Sequence, residues 1–269
     1  MKKGIHFICS IAITLSLLLA ASCGYAQDAG SDFAPHSGLV GKDVVWIPTP
    51  QILVDTMLNM AKVTSDDYLI DLGSGDGRLV VSAAKLGATA LGIEYNQDMV
   101  ELARRIAAEE GATSKATFEQ ADIFEYDFSE ATVVTMFLLP ELNLRLRPMI
   151  LNMKPGTRIV SNSFTMDDWE YDQSEDIPDI GNWSIAYLWI VPAKVDGTWK
   201  IDGGQITLTQ SFQYITGTLT RGNEEVALTG KLNGDKISFD AGGAEFIGTV
   251  SGNTMSGTRV GGGNWKAAR

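Results

Sequence analysis

Residues Tyr68-Leu-Ile-Asp-Leu-Gly-Ser-Gly-Asp-Gly77 set a short apolar run, an acid and a glycine-rich turn in immediate succession. Tyr68, Leu69 and Ile70 suit a buried parallel strand, which is covered on both faces and so tolerates apolar residues at every position. Asp71 stands where such a strand ends. Gly73, Gly75 and Gly77 allow backbone turns with positive φ and close approach of a ligand. The next segment, Arg78 to Leu86, carries Val80, Val81 and Ala84 along one side and stops at Gly87, which predicts a helix. Strand, glycine turn and helix in this order are the start of a βαβ unit and commit this part of the chain to an α/β fold.

Two kinds of nucleotide cofactor use that architecture, and the spacing chooses between them. A dinucleotide site calls for Gly-x-Gly-x-x-Gly, with a pyrophosphate on the helix N-terminus. Here the pattern is Gly-x-Gly-x-Gly, and Asp71 precedes the turn. A carboxylate there repels a pyrophosphate but can hold an ammonium group. Glu94 closes the next predicted strand, Leu91-Gly-Ile-Glu94, where it can accept both hydroxyls of a ribose. A molecule with an amine, a ribose and no phosphate meets these demands, so S-adenosyl-L-methionine fits better than a nicotinamide dinucleotide. A third acid agrees. Thr117 to Gln120 reads as a short strand running into Ala121-Asp122-Ile123-Phe124, so that Asp122 can accept from an adenine amino group while Ile123 offers its N–H and an apolar side chain to the ring. Ligands of doubly wound sheets bind at the carboxyl ends of the strands, where all three acids are expected.

With these motifs in place the chain resembles the class I S-adenosylmethionine-dependent methyltransferases. Within them, Pro48-Thr-Pro-Gln51, Asp71-Leu-Gly-Ser-Gly-Asp-Gly-Arg78, Ala131 to Pro148 and Lys154-Pro-Gly-Thr-Arg-Ile-Val-Ser161 are similar to bacterial relatives of the mitochondrial lysine methyltransferases that modify the ATP synthase c-subunit and the adenine nucleotide translocase. The resemblance spans roughly residues 44 to 193. It implies a Rossmann-like sheet of seven strands. It also implies that Asp71 and the Gly73, Gly75 and Gly77 backbone hold the methionine part, Glu94 the ribose, and Asp122 and Ile123 the adenine. In amino-methylating relatives the segment after the fourth strand presents groups to the target nitrogen, which makes Glu141 and Asn143 of Leu139-Pro-Glu-Leu-Asn143 the candidate catalytic residues. That segment departs from the Asn/Asp-Pro-Pro-aromatic motif of many adenine and glutamine methyltransferases, which argues against those acceptors, and the resemblance implies a protein lysine or another amine instead.

Composition narrows the remaining choices. The formal net charge of −12 disfavours a nucleic acid substrate, since phosphate neutralisation needs clustered Lys and Arg. Lys2 and Lys3, an apolar run from about Ile8 to Ala21 and a small-residue stretch read as an export signal with cleavage after Ala26. The alternative is lipid anchoring through Cys23 in Ala20-Ala-Ser-Cys23, and either route places the main domain outside the cytoplasm, periplasmic or secreted. Removal of residues 1–26 takes away both cysteines and His6, leaving His36 as the one imidazole and 19 basic against 33 acidic residues. Thiol nucleophiles, Ser-His-Asp triads and His or Cys metal sites are then close to excluded.

Residues 27–43 read as a flexible leader, 44–194 as the catalytic domain, and 195–269 as a small antiparallel all-β module, barrel or sandwich. Thr49 is expected to cap a helix beginning at Pro50, a helix placed to lid the cofactor pocket or to pack at the sheet edge. Pro148 is expected to mark a kink or a new start, and a strand near Trp169 to Asp172 to complete an edge pair. In the last module, alternating stretches such as Gln205-Ile-Thr-Leu-Thr-Gln210 are punctuated by Asp202-Gly-Gly, Arg221-Gly-Asn, Asn233-Gly-Asp and Ser251-Gly-Asn, which are hairpin signals. Trp199 and Trp265 are expected to close its core. A stabilising or docking role suits this module, with an envelope component as its candidate partner. A non-catalytic exported binding protein built on the same fold is the competing reading of the whole chain.

Overall fold

The computed structural model describes residues 33–269, so the export signal and the start of the leader lie outside the described residues. The chain begins with a two-stranded hairpin, β1 (Leu39–Val40) and β2 (Val45–Trp46), and helix α1 (Gln51–Met60). Alternating elements follow: β3 (Tyr68–Leu72), α2 (Arg78–Lys85), β4 (Thr89–Glu94), α3 (Gln97–Glu109), β5 (Ala116–Gln120), β6 (Val133–Met136), α4 (Pro140–Ile150) and β7 (Arg158–Asn162). The edge strands β8 (Gln173–Asp176) and β9 (Ile185–Ile190) complete a sheet in the order β5-β4-β3-β6-β7-β9-β8. Its first five strands are parallel, and β9 pairs antiparallel with both β7 and β8. This is the seven-stranded Rossmann-like sheet expected from the sequence.

Residues alternate across the sheet into two apolar layers. Leu69, Ala90, Val133, Val160 and Leu188 pack under α1, α2 and α3. Ile70, Leu91, Val134, Ile159 and Trp189 meet α4 on the other face. Both layers are needed because every central strand is buried on both sides. Three boundaries differ from expectation. Helix α1 starts one residue later, with Pro50 as its N-cap and no side-chain cap bond; the Thr49 hydroxyl instead accepts from Asn162 Nδ2 at 3.2 Å. Pro148 lies inside a continuous α4, which it does not interrupt. Trp169 is fully buried in an isolated bridge, and the edge strand begins only at Gln173, because the indole is stacked 5.8 Å from Phe212 and tilted against Trp189.

From Gly197 the chain forms β10 (Gly197–Ile201), β11 (Gly204–Ser211), β12 (Tyr214–Arg221), β13 (Glu224–Asn233), β14 (Lys236–Ala241), β15 (Ala244–Ser251), β16 (Thr254–Arg259) and β17 (Asn264–Ala268). Each strand pairs with the next, and β17 returns to β10, so the module is a closed up-and-down barrel. Closure leaves no unpaired edge. Trp199, Ile206, Leu232, Phe239, Phe246 and Trp265 fill its interior.

The barrel is docked on the sheet through the β11–β12 turn. Gln213 Nε2 donates to the Glu170 carbonyl at 2.8 Å, and the Tyr214 hydroxyl to the Glu170 carboxylate at 2.7 Å. A backbone bond from Ala193 N to Gly234 O adds a second tether.

Candidate active site

The carboxyl ends of β3, β4 and β6 surround a cavity of about 550 Å³, where the strand order reverses between β3 and β6. Asp71, Gly73, Ser74, Gly75, Glu94, Asp122 and Ile123 all line it. The three acids foreseen at separate strand tips therefore face one volume.

Asp71 is 6 % exposed, and its Oδ1 accepts from the Thr135 hydroxyl on the neighbouring strand at 2.7 Å. Burial pushes its carboxyl up to about 7, against the Thr135 bond and with help from the Glu94 and Asp76 carboxylates. No cation of the described chain is bonded to it, so a ligand ammonium would supply the missing charge. Beside it, the Ser74 hydroxyl is buried without a hydrogen-bond partner. A buried carboxyl and an orphan hydroxyl on one cavity wall are polar groups that burial alone would leave costly, and a zwitterionic ligand end satisfies both.

Glu94 is held by its own turn: Oε2 accepts from Gly75 N at 3.0 Å and Oε1 from Asn96 N at 2.9 Å. Two carboxylate oxygens offer about four acceptor sites, so lone pairs remain for two hydroxyls. Gly75 has φ +54, and a Cβ there would come within 2.5 Å of the Trp46 indole nitrogen. The turn is thus pinched between Glu94 on one side and the Trp46 indole on the other. Gly77 departs from its expected role. It does not line the cavity; it caps α2 at φ +78, where a Cβ would strike Phe118 at 2.6 Å. Its service is helix-to-sheet packing.

The leader is not free of the domain. The β1–β2 hairpin, which runs from the end of the leader into the domain, lines the cavity with Leu39 to Trp46, and the Lys42 ammonium pairs with the Asp122 carboxylate and lies 4.8 Å from the Tyr95 ring centroid. The Lys42 bond and the Phe124 N–H hold the Asp122 carboxyl below its usual range. The Thr49 carbonyl accepts from Arg78 at 2.9 Å, and Arg78 in turn pairs with Asp76 at 2.6 Å, which fastens the segment before α1 to the glycine turn. Residues 39–49 cover the pocket; α1 itself packs against α2, β7 and β9.

Glu141 and Asn143 are not brought to the cavity wall. Glu141 is exposed in the first turn of α4, where a negative charge suits the helix N-terminus. Asn143 is fully buried, and its Nδ2 lies within hydrogen-bond reach of the Phe164 and Thr165 carbonyls, at 3.2 and 3.3 Å. It ties down the loop after β7 and is not part of the cavity lining. The side chains that do stand on that side of the cavity are Phe137, Leu138, Leu139, Leu142, Phe164 and Trp183. They went unnoticed in the sequence because apolar residues after buried strands read as core.

Comparison with known proteins gives this geometry a family. Residues 71–173 match the ANTKMT methyltransferase domain. A protein-lysine N-methyltransferase of Saccharolobus islandicus is 39% identical over 162 residues, 59% of this chain and 96% of that protein. The chain belongs to this family of class I S-adenosylmethionine-dependent methyltransferases.

The human lysine N-methyltransferase of the ATP synthase c-subunit is 30% identical over 128 residues, 47% of this chain and about half, 54%, of the relative. The crystal structure of an RNA methyltransferase from Salinibacter ruber in complex with S-adenosyl-L-homocysteine is 44% identical and covers 55% of this chain and 96% of that one, with a TM-score of 0.53. The cofactor of this methyltransferase is S-adenosyl-L-methionine, and the cavity's buried acid, orphan hydroxyl and paired acceptors fit an adenosyl amino acid. No helix among the described residues is long and apolar enough to cross a membrane.

Proposed function

We propose that this methyltransferase transfers methyl groups to the side-chain amine of protein lysines. The observation that carries the reading is the division of the cavity: Asp71, Glu94 and Asp122 crowd the tips of β3, β4 and β5, while the ends of β6 and β7 contribute only apolar and aromatic side chains to the lining. The lysine methyltransferases among its relatives support it.

When bound, S-adenosylmethionine supplies a methyl group on a sulfonium, open to in-line attack by a neutral amine. The protein's part is mainly alignment. Asp71 accepts the amino group of the methionine part, with the Ser74 hydroxyl beside it. Glu94 accepts the ribose hydroxyls, and Asp122 and Ile123 take the adenine once Lys42 releases Asp122. Gly75 keeps the turn close against the ligand. A free lysine amine has a pKa near 10.4, so most of it is charged at neutral pH. The aliphatic side chains of Leu138, Leu139 and Leu142 on the cavity wall favour its neutral form by withholding water.

An RNA acceptor is the specific competitor, given the Salinibacter relative. The net charge of −12 opposes it, and the lining offers Lys42 and Arg78 as its cations, each engaged by an acid of its own chain. Export to the periplasm or beyond, with or without lipidation at Cys23, belongs to the same proposal and is tested by cell fractionation.

The test of the acceptor uses cofactor labelled in its methyl group, offered in parallel with a lysine-rich peptide and a transfer RNA pool, followed by hydrolysis. Labelled methyllysine is the expected product. Label in nucleosides overturns the lysine reading, and cofactor binding with no transfer to either restores the non-catalytic one.

A further inference from the structure

Three aromatic residues from three different connections meet at the cavity. Phe137 follows β6, Phe164 follows β7, and Trp183 precedes β9. Ring centroids lie 5.3 Å apart for Phe164 and Trp183, 5.9 Å for Phe137 and Trp183, and 6.2 Å for the stacked pair Phe137 and Phe164. All three line the cavity and all three are only partly buried. Partial exposure of three large rings in one concave place is costly unless something covers them.

The Phe164 corner of the cluster is braced from outside it. Ser163 holds φ +62, a strained value for a residue with a side chain. Asn143 reaches the carbonyls of Phe164 and Thr165, and Arg147 grips the Met166 carbonyl at 2.8 Å. Beyond that loop, the barrel's Phe212 stacks on Trp169. Phe164 is thus held by contacts that do not involve the other two rings.

The cluster differs from other rings of this chain in one respect. Tyr95, Phe124, Phe212, Tyr214 and Trp199 each have a Lys or Arg of the same chain over the ring: Lys42, Arg145, Arg147, Lys231 and Arg269 respectively. Among the described residues no cation stands over Phe137, Phe164 or Trp183. Partly exposed in the cavity wall and without a cation of the described chain, the rings can take one from outside, which the acidic chain attracts.

We infer that Phe137, Phe164 and Trp183 form the acceptor subsite and select an alkylammonium group by cation–π attraction, so that they determine specificity for lysine and its methylated forms. The inference rests on the lysine reading and assigns its recognition to named residues. A neutral lysine must enter the reaction, but every methylated product is a cation, and the rings favour that cationic product over a neutral group of equal bulk. A nucleobase would also stack on such rings, yet its phosphates would meet the acidic surface, and the test separates the two.

The test is calorimetric and needs no turnover. The full chain, loaded with S-adenosyl-L-homocysteine, is titrated with a peptide carrying Nε-trimethyllysine and with the same peptide carrying the neutral tert-butyl isostere. The charged peptide is expected to bind about ten-fold more tightly. Trp183→Leu and Phe164→Leu are each expected to erase most of that preference while S-adenosyl-L-homocysteine affinity is kept, which also shows that the variant is folded. Trp183→Phe is expected to retain part of it.

Equal binding of the two peptides overturns the inference alone, since methyllysine in the transfer assay would still stand. Failure of the charged peptide to bind, with a short RNA bound instead through the same rings, overturns both. A preference unchanged in both leucine variants places recognition elsewhere and also overturns the inference.

Discussion

The sheet and the barrel solve opposite problems with the same small residues. In the barrel, glycines relieve backbone crowding: Gly217 sits where a side chain would overlap the Thr207 carbonyl of the paired strand. The interior is apolar and closed, and Gln213, at the junction, is the only barrel residue among the described buried polar ones. In the sheet, glycines admit side chains from elsewhere in the fold: Gly75 makes room for the Trp46 indole and Gly77 for the Phe118 ring. Buried polar groups there include Asp71, Ser74, Asp76 and Thr135, gathered at one end. A closed barrel pairs all its strand edges within itself. An open parallel sheet leaves polar groups at its strand tips that a ligand must complete, so the chemistry collects there, while the barrel meets the segment after Phe164 through Phe212 on Trp169 and Gln213 on Glu170.

If that division is right, changes in the two regions separate stability from affinity. The largest effect is expected from Trp199→Ala, which removes a fully buried ring from the barrel core and should cost about 3–5 kcal/mol in denaturant unfolding. Cofactor affinity of the folded fraction should stay the same, and a loss of affinity would break the comparison.

Asp71→Asn should act in the opposite sense. The folded-state value of about 7 exceeds the ordinary 3.8. Between those values the folded chain holds the proton that the unfolded chain has lost, so the native carboxyl costs stability as pH rises from about 4 to 7. The asparagine variant avoids that cost, and the ligand-free protein should become more stable than the parent by at most about 4 kcal/mol at pH 8, with little difference at pH 4. Thermal unfolding at both pH values checks it, and cofactor affinity should fall at the same time.

Glu94→Ala should weaken S-adenosylmethionine about 100-fold, the equivalent of two lost hydrogen bonds to a charged group. Isothermal titration reads it directly. The smallest effect belongs to Lys42→Ala. Freeing Asp122 from its exposed ion pair should tighten cofactor binding by no more than about five-fold, and less at high salt. Weaker binding would mean that the hairpin acts as a clamp whose lysine is needed.

Much of the sheet was legible because the apolar runs, the Gly-x-Gly-x-Gly turn and the helix stops are local signals. The barrel was legible for the same reason: Asp202-Gly203, Gly222-Asn223, Gly234-Asp235 and Gly252-Asn253 all form two-residue turns between paired strands. Local signals also placed Asp71, Glu94 and Asp122, since each stands within two residues of the carboxyl end of its own strand. What escaped were contacts fixed only in three dimensions. Lys42 meets Asp122 across eighty positions, and nothing in a polar leader announces that. Asn143 looked like a site residue because it follows β6 closely, but the helical turn rotates it inward under Phe164. Gly77 shares a motif with Gly73 and Gly75, yet the sheet behind it sets its purpose.

The most direct test of the central claim is a crystal structure of the full chain with S-adenosyl-L-homocysteine. The ligand is expected in the cavity at the tips of β3, β4 and β5, its amino group on Asp71, its ribose hydroxyls on Glu94, and its adenine at Asp122 with Lys42 displaced. Ligand bound outside that cavity, or inside it without touching Asp71 and Glu94, would contradict the account.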